Sequence, residues 1–255
     1  MRSYRIGPTI MALPEESSHA GDPPVSRSAT IATVLRDEIL SGQYRTGERL
    51  PSERDLCSRF SVSRGAVREA LKQLQQLGIA SIQPGGARVV AVETCTLGVL
   101  GPLLELNEIP DPKLVDEVMH MIGVLMREAA SAAIAKATDA ELEAAQGIVD
   151  EMLDAADDPV RQFAAVRKLG EFYISVADHL VLRLMVNGLT TSFMARMASH
   201  DPLTSLAPNE LEIPAKRIRK ALVARNSEEL GIAMQDLNRL FREGARKALQ
   251  QAARN

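Results

Sequence analysis

Arg64 and Arg68 stand four residues apart, directly after Ser63 and with Gly65 between them. On a helix, residues at that spacing project from the same side, so both guanidinium groups can reach neighbouring points on one ligand. Arginine offers a planar fork of N–H donors that fits a phosphate or the O6/N7 edge of guanine. Ser63 is of the type that caps the free amides of a helix start. Those amides favour an anion, so the first turn presents Ser63, Arg64, Gly65 and Arg68 to negative charge. Arg54 lies near the start of the preceding helix, within reach of a nucleic-acid backbone. Further on, Gly85-Gly86 would let main chain come close to a minor groove or a phosphate. An arginine pair on an isolated helix is more often a solvated face. Here it is followed by a glycine-tipped hairpin, and that succession favours a duplex reader.

The elements that would position these residues can be read from periodicity. Ile31, Val34, Leu35, Ile39 and Leu40 recur at helical spacing up to Ser41-Gly42. Tyr44 to Leu50 reads as a turn. A second helix starts at Pro51-Ser52-Glu53-Arg54, with Ser52 as cap and Leu56 and Phe60 facing inward. After Ser61-Val62-Ser63 a third helix buries Val67, Ala70, Leu71, Leu74 and Leu77 and stops at Gly78. Two strands, 79–83 and 87–92, flank Pro84-Gly85-Gly86, a hairpin signal. Two helices joined by a tight turn and followed by a hairpin make a winged helix-turn-helix. Beyond Thr94 the strand signal ends. Helical patterns run over 96–106, 114–137, 139–156, 160–181, 182–199, 209–224 and 228–253, which predicts an all-α bundle. The expected fold is therefore mainly α. Residues 1–26 form a disordered tail, 27–93 a winged helix-turn-helix, and 94–255 a helical effector-binding and dimerisation domain.

Composition agrees with two unlike parts. The 255 residues carry a net charge of −3. Residues 27–90 hold ten basic and six acidic side chains, and residues 91–255 hold eighteen and twenty-four. A basic segment joined to an acidic one suits a polyanion-binding module carried by a second domain. Cys57 and Cys95 cannot make a disulfide framework and read as two unrelated thiols in a reducing, cytoplasmic setting. No uninterrupted apolar run reaches the ~20 residues of a membrane span, so no membrane partner is expected. Met11 is a second possible start.

The stretch Gly47-Glu48-Arg49-Leu50-Pro51-Ser52-Glu53-Arg54-Asp55-Leu56, with Val62-Ser63-Arg64-Gly65-Ala66-Val67-Arg68-Glu69-Ala70-Leu71, resembles the GntR family of bacterial transcription factors. The likeness covers about residues 28–92. It implies that Arg54, Arg64 and Arg68 contact DNA, supported by Ser63, Gly65 and the wing glycine Gly85. The chain departs from many relatives in having Ala66 where a Thr is common, and Pro84-Gly85-Gly86-Ala87 where a basic or polar wing is common. The remainder resembles the FadR branch of that family. In the commoner members of that branch one Asp and three His hold a divalent metal, and an Arg pairs with a small organic acid. Aligned on Ala129-Ala130, Ala133 and Lys136-Ala137-Thr138, those positions fall here on Leu169, Tyr173, Ala215 and Leu237, and the Arg position falls on Ile122. No metal and no other cofactor is expected. His120, His179 and His200 read as surface or satisfied residues.

A cavity lined by Ile122, Met126, Leu169, Tyr173, Ala215 and Leu237 would be apolar with one hydroxyl. At roughly 0.8 kcal/mol per buried CH₂, it would suit an acyl chain. The resemblance points the same way, since a metal-free member of the branch binds fatty acyl-CoA. The expected effector is thus an acyl-CoA or another lipid-like molecule. Alternatives are a core simply filled by these side chains, a small polar acid bound without metal, and a ligand-independent DNA-binding dimer. Met119 and Met121, with Met185, Met194 and Met197, read chiefly as core filler. No phosphate-binding loop, dinucleotide fingerprint, zincin histidine pair or nucleophile elbow occurs, so an enzyme is not expected. The reading is a homodimeric repressor-type regulator of a pseudo-palindromic operator, possessing no catalytic residues.

Overall fold

The computed structural model describes residues 26–198 and 210–254. The expected tail, apart from Ser26, lies outside the described residues, as do Met11 and His200. The chain divides into two compact units. The first ends at Glu108 and the second runs from Ile109.

The first unit opens with α1 (Arg27–Leu40), capped by Ser26, whose hydroxyl accepts from the Ala29 amide. Next comes α2 (Glu53–Phe60). Its cap Ser52 accepts from the Asp55 amide, and Ser61 ends it in the left-handed region at φ 52°. Then α3 (Arg64–Leu77) is capped by Ser63 and closed by Gly78 at φ 84°. A Cβ on Gly78 would stand 3.1 Å from the Cys95 Cα, so that turn needs glycine for space as well as conformation. Leu35, Leu56, Val67, Ala70, Leu74 and Ile79 are fully buried where the three helices meet. Their 3–4 residue spacing on each helix is the apolar stripe that folds them together.

Strands β1 (Ala80–Gln83) and β2 (Gly86–Val89) pair antiparallel, with Gln83 opposite Gly86 across a two-residue Pro84-Gly85 turn. Proline fixes the first turn position, and the second then needs a positive φ, which Gly85 supplies at 100°. Both strands are shorter than the sequence pattern suggests. Val92–Thr94 leaves the ladder as a 3₁₀ turn. Leu97–Val99 forms another, and the expected helix over 96–106 shrinks to α4 (Leu100–Glu105). Residues 48–50, expected as the end of a turn, instead lie extended beside β2, while Gly47 stays in a turn at φ 82°. The Leu50 amide donates to Ala87 O, and the Val89 amide to Glu48 O, both at 2.9 Å. Their polar sequence has no strand periodicity; pairing with an existing edge supplies it.

The second unit contains α5 (Pro112–Lys136), α6 (Asp139–Asp154), α7 (Pro159–Ala177), α8 (Leu180–Ala198), α9 (Glu212–Val223) and α10 (Ser227–Ala252). Helix α5 is the hub and packs on α10, α7 and α8, while α6 bridges α7 and α9. By length and composition alone α5 would pass for a membrane-crossing helix, with a mean hydropathy of 1.3 over its most apolar stretch. Charged residues interrupt it, yet a helix packed on three neighbours must be apolar on several faces. Thr138 and Glu141 form a reciprocal capping box that starts α6. On α8, Leu180, Val181, Leu184 and Met185 remain exposed.

Candidate nucleic-acid interface

Helix α3 turns Val67, Leu71 and Leu74 inward, so Arg64 and Arg68 necessarily face outward. Both are exposed. The Ser63 hydroxyl accepts from the Ala66 amide at 3.4 Å, leaving the amides of Arg64 and Gly65 at the open helix end. Arg64 has no hydrogen bond or ion pair among the described residues. Arg68 donates from Nε to both Glu53 oxygens at 3.0 Å, and that carboxylate raises its pKa further. The pair aims the Arg68 side chain toward the start of α2. Arg54, on that same first turn, has a side chain 87% exposed and only a loose 3.8 Å approach to Asp55. Asp55 itself takes a 2.6 Å hydrogen bond from the Ser52 hydroxyl, which holds its carboxyl below the usual range. Arg54, Ser63, Arg64, Gly65 and Arg68 are thus all exposed residues at the adjoining starts of α2 and α3. Gly85 is exposed at the wing tip.

Two more arginines belong to this unit's basic surface and were missed by sequence reasoning. Arg49 and Arg88 are bridge partners across the 48–50 segment and β2. Arg88 donates from Nη1 to Gly47 O at 2.9 Å. The tell-tale signal, alternation with buried Leu50 and Ala87, is visible only once 48–50 is known to be extended.

The six expected effector residues fall on four helices. Ile122 and Met126 on α5 are half-buried, while Leu169 and Tyr173 on α7, Ala215 on α9 and Leu237 on α10 are buried. Met126 Sδ lies 3.4 Å from the place a Cβ on Gly170 would take, so it packs on α7 next to Leu169. Tyr173 is 1% exposed, its hydroxyl has no hydrogen-bond partner among the described residues, and burial pushes its phenol far up. Two clefts of the second unit, about 490 and 270 Å³, are lined by other residues. The smaller contains His120, Asn238, Arg239 and Arg242. There Arg242 forks onto Asp116 at 2.7 and 2.5 Å and meets His120 Nδ1 at 3.2 Å. Arg242 holds the Asp116 carboxyl below its usual range. His179 accepts the Leu182 amide at 3.2 Å and so caps α8. Both histidines are satisfied by protein groups. Among the described residues no His, Cys, Asp or Glu cluster forms a metal site. Cys57 and Cys95 are free and half-buried.

Residues 27–90 match the family described as bacterial regulatory proteins, gntR family. The likeness to gntR-family regulators is thus placed in the first unit of the chain. The match covers the whole three-helix and hairpin arrangement just described. An uncharacterized HTH-type transcriptional regulator of Mycobacterium tuberculosis, Rv0494, is 40% identical over 90 residues; these are 31% of this chain and 37% of that protein. The HTH-type transcriptional regulator Mce2R of the same species is 29% identical over 183 residues, 69% of this chain and 75% of that one. LutR of Bacillus subtilis is 27% identical over 176 residues, 62% and 72% of the two chains. Among solved structures, Lar, described as controlling expression of the Listeria monocytogenes agr system, is 18% identical with a TM-score of 0.52. That comparison covers 88% of this chain and 98% of Lar, and is a likeness of fold.

Proposed function

We propose that the chain is a homodimeric, sequence-specific transcriptional regulator of the FadR type, carrying no catalytic site and acting in the cytoplasm. The observation that carries this reading is the exposed Arg64 and Arg68 pair on the first turns of α3, with Arg54 beside it. In this reading α3 enters the major groove. Arg64 reads a base edge, while Arg68 and Arg54 hold the register through base or phosphate contacts. The adjoining helix amides receive a phosphate. One recognition helix is too short for nanomolar selectivity, so two copies would read a pseudo-palindrome.

The second unit would bind the effector. An acyl-CoA or similar lipid-like ligand is the reading supported by the buried, partnerless Tyr173 hydroxyl among apolar side chains. Such a group costs about 1–3 kcal/mol unless something bonds to it. Ligand binding would shift the dimer between two spacings of its recognition helices and so change operator affinity.

The test uses duplexes that the wild-type protein selects from a random pool. Arg64→Ala and Arg68→Ala should each weaken binding to the selected duplex by roughly 1–3 kcal/mol, and more there than on random-sequence duplex. If both variants bind the selected duplex as tightly as the parent, α3 is not the reading element.

A further inference from the structure

The wing tip, Pro84 to Ala87, carries no hydrogen-bonding side chain of its own, yet a guanidinium lies over it. Segment 48–50 runs along β2 with Arg49 opposite Arg88. Leu50 and Ala87 are buried on one face of this small sheet. Side chains alternate between faces along a strand, which leaves Arg49 and Arg88 on the solvent face, with Ser81 opposite Arg88 on β1. From there Arg49 reaches along the hairpin. Its Cγ, Cδ and Nε pass 3.6–3.9 Å from where a Cβ on Gly86 would stand, and its Nη2 is 2.7 Å from the corresponding point on Gly85. A side chain at 85 would occupy the space the guanidinium uses.

No carboxylate neutralises this pair. Arg49 is exposed and has no hydrogen bond or ion pair among the described residues. Arg88 spends its Nη1 donor on the Gly47 carbonyl. The neighbouring Glu48 carboxylate accepts from the Arg45 amide at 2.8 Å. Like charges directly opposite on adjacent strands destabilise a sheet. Two arginines so placed, one of them aimed at a bare turn, leave exposed positive charge at the wing.

We propose that Arg49 contacts the DNA backbone as the wing's phosphate anchor, supplying from the segment before α2 the cation that the hairpin tip lacks, with Gly85 providing its space. This rests on the DNA-binding reading above. The wing then contributes charge to affinity and carries no base-specific information.

The experiment measures full-chain affinity for a pool-selected duplex and for a random-sequence duplex, each across a range of salt concentrations, with thermal melting of every variant. Arg49→Ala should lower affinity several-fold on both duplexes and make the log–log salt dependence shallower by about 0.9, one phosphate contact. Arg49→Lys should keep the wild-type slope. A wild-type slope in Arg49→Ala overturns the proposal. Arg64→Ala run in parallel separates the two readings. If it loses selectivity while Arg49→Ala keeps the parent's slope, only the wing anchor fails. If neither variant changes binding, both the anchor and the reading beneath it fail.

Discussion

In the proposed reading, Arg68 is a contact residue held in place before its ligand arrives. Its Nε is shared between the two Glu53 oxygens, in a pair whose side chains are 64% and 38% exposed. An exposed pair of this kind adds little stability, so its effect lies in orientation and in field. Glu53 places a negative charge on the surface proposed to meet a polyanion, and two unit charges 4 Å apart in water interact by about 1 kcal/mol. Glu53→Gln is therefore expected to tighten binding to random-sequence duplex several-fold. It should also reduce the ratio of selected to random affinity, because Arg68 is no longer aimed. Unchanged affinity for random duplex would show that Glu53 swings clear on binding. Arg54, Arg64 and Arg68 were legible in the sequence because helix spacing alone dictates their side. Arg49 was not. Its place depends on a pairing between 48–50 and β2 that no local pattern encodes.

At the scale of elements, α1 and α2 are pinned by a small charged cluster. Arg59 donates to both Glu38 oxygens, and the Tyr44 hydroxyl donates to Oε2 at 3.4 Å. The Arg59 guanidinium also lies 4.8 Å from the Phe60 ring centre. The Arg59 hydrogen bond, more than any other influence, holds the Glu38 carboxyl below its ordinary 4.5. Because the folded value is depressed, the stabilisation is fully present above pH 4.5 and disappears as pH falls through the folded value. Glu38 is only 13% exposed but Arg59 is 42% exposed, so solvent screening keeps the contribution near or below about 1 kcal/mol. Glu38→Gln should melt below the parent at pH 7, with the gap closing in acid; a gap independent of pH would refute the assignment to this ion pair. The helices themselves were legible, since caps such as Ser52, Ser63 and Thr138 sit where the apolar periodicity begins. The ends of the hairpin and the helix expected over 96–106 were not. Val90 and Val92 are β-formers by composition, yet the ladder decides where pairing stops: its last pair is Ala80–Val89, followed by one hydrogen bond from the Val90 amide to Ile79 O.

Across the whole molecule, a basic unit and an acidic helical unit are joined in one chain, and the proposed effector chemistry belongs to the second. The sequence located Leu169, Tyr173, Ala215 and Leu237 as apolar replacements for polar positions, and all four are buried. Whether side chains close that space or a ligand enters it is a matter of packing volume, which periodicity does not specify. The Tyr173 hydroxyl discriminates between the two. In a closed core an orphaned hydroxyl is a liability, and Tyr173→Phe should stabilise the protein by about 1–3 kcal/mol, the penalty of an unsatisfied buried polar group. Added long-chain acyl-CoA would then leave the melting temperature of parent and variant unchanged. If the hydroxyl anchors a ligand, acyl-CoA must raise the parent's melting temperature, since binding to the folded state alone stabilises it by RT ln(1 + [L]/Kd). In that case Tyr173→Phe must shrink the shift, and acyl-CoA must alter the affinity of the parent for its selected duplex more than that of the variant. The effector reading expects the second pattern. The first would remove the acyl-CoA reading of this unit.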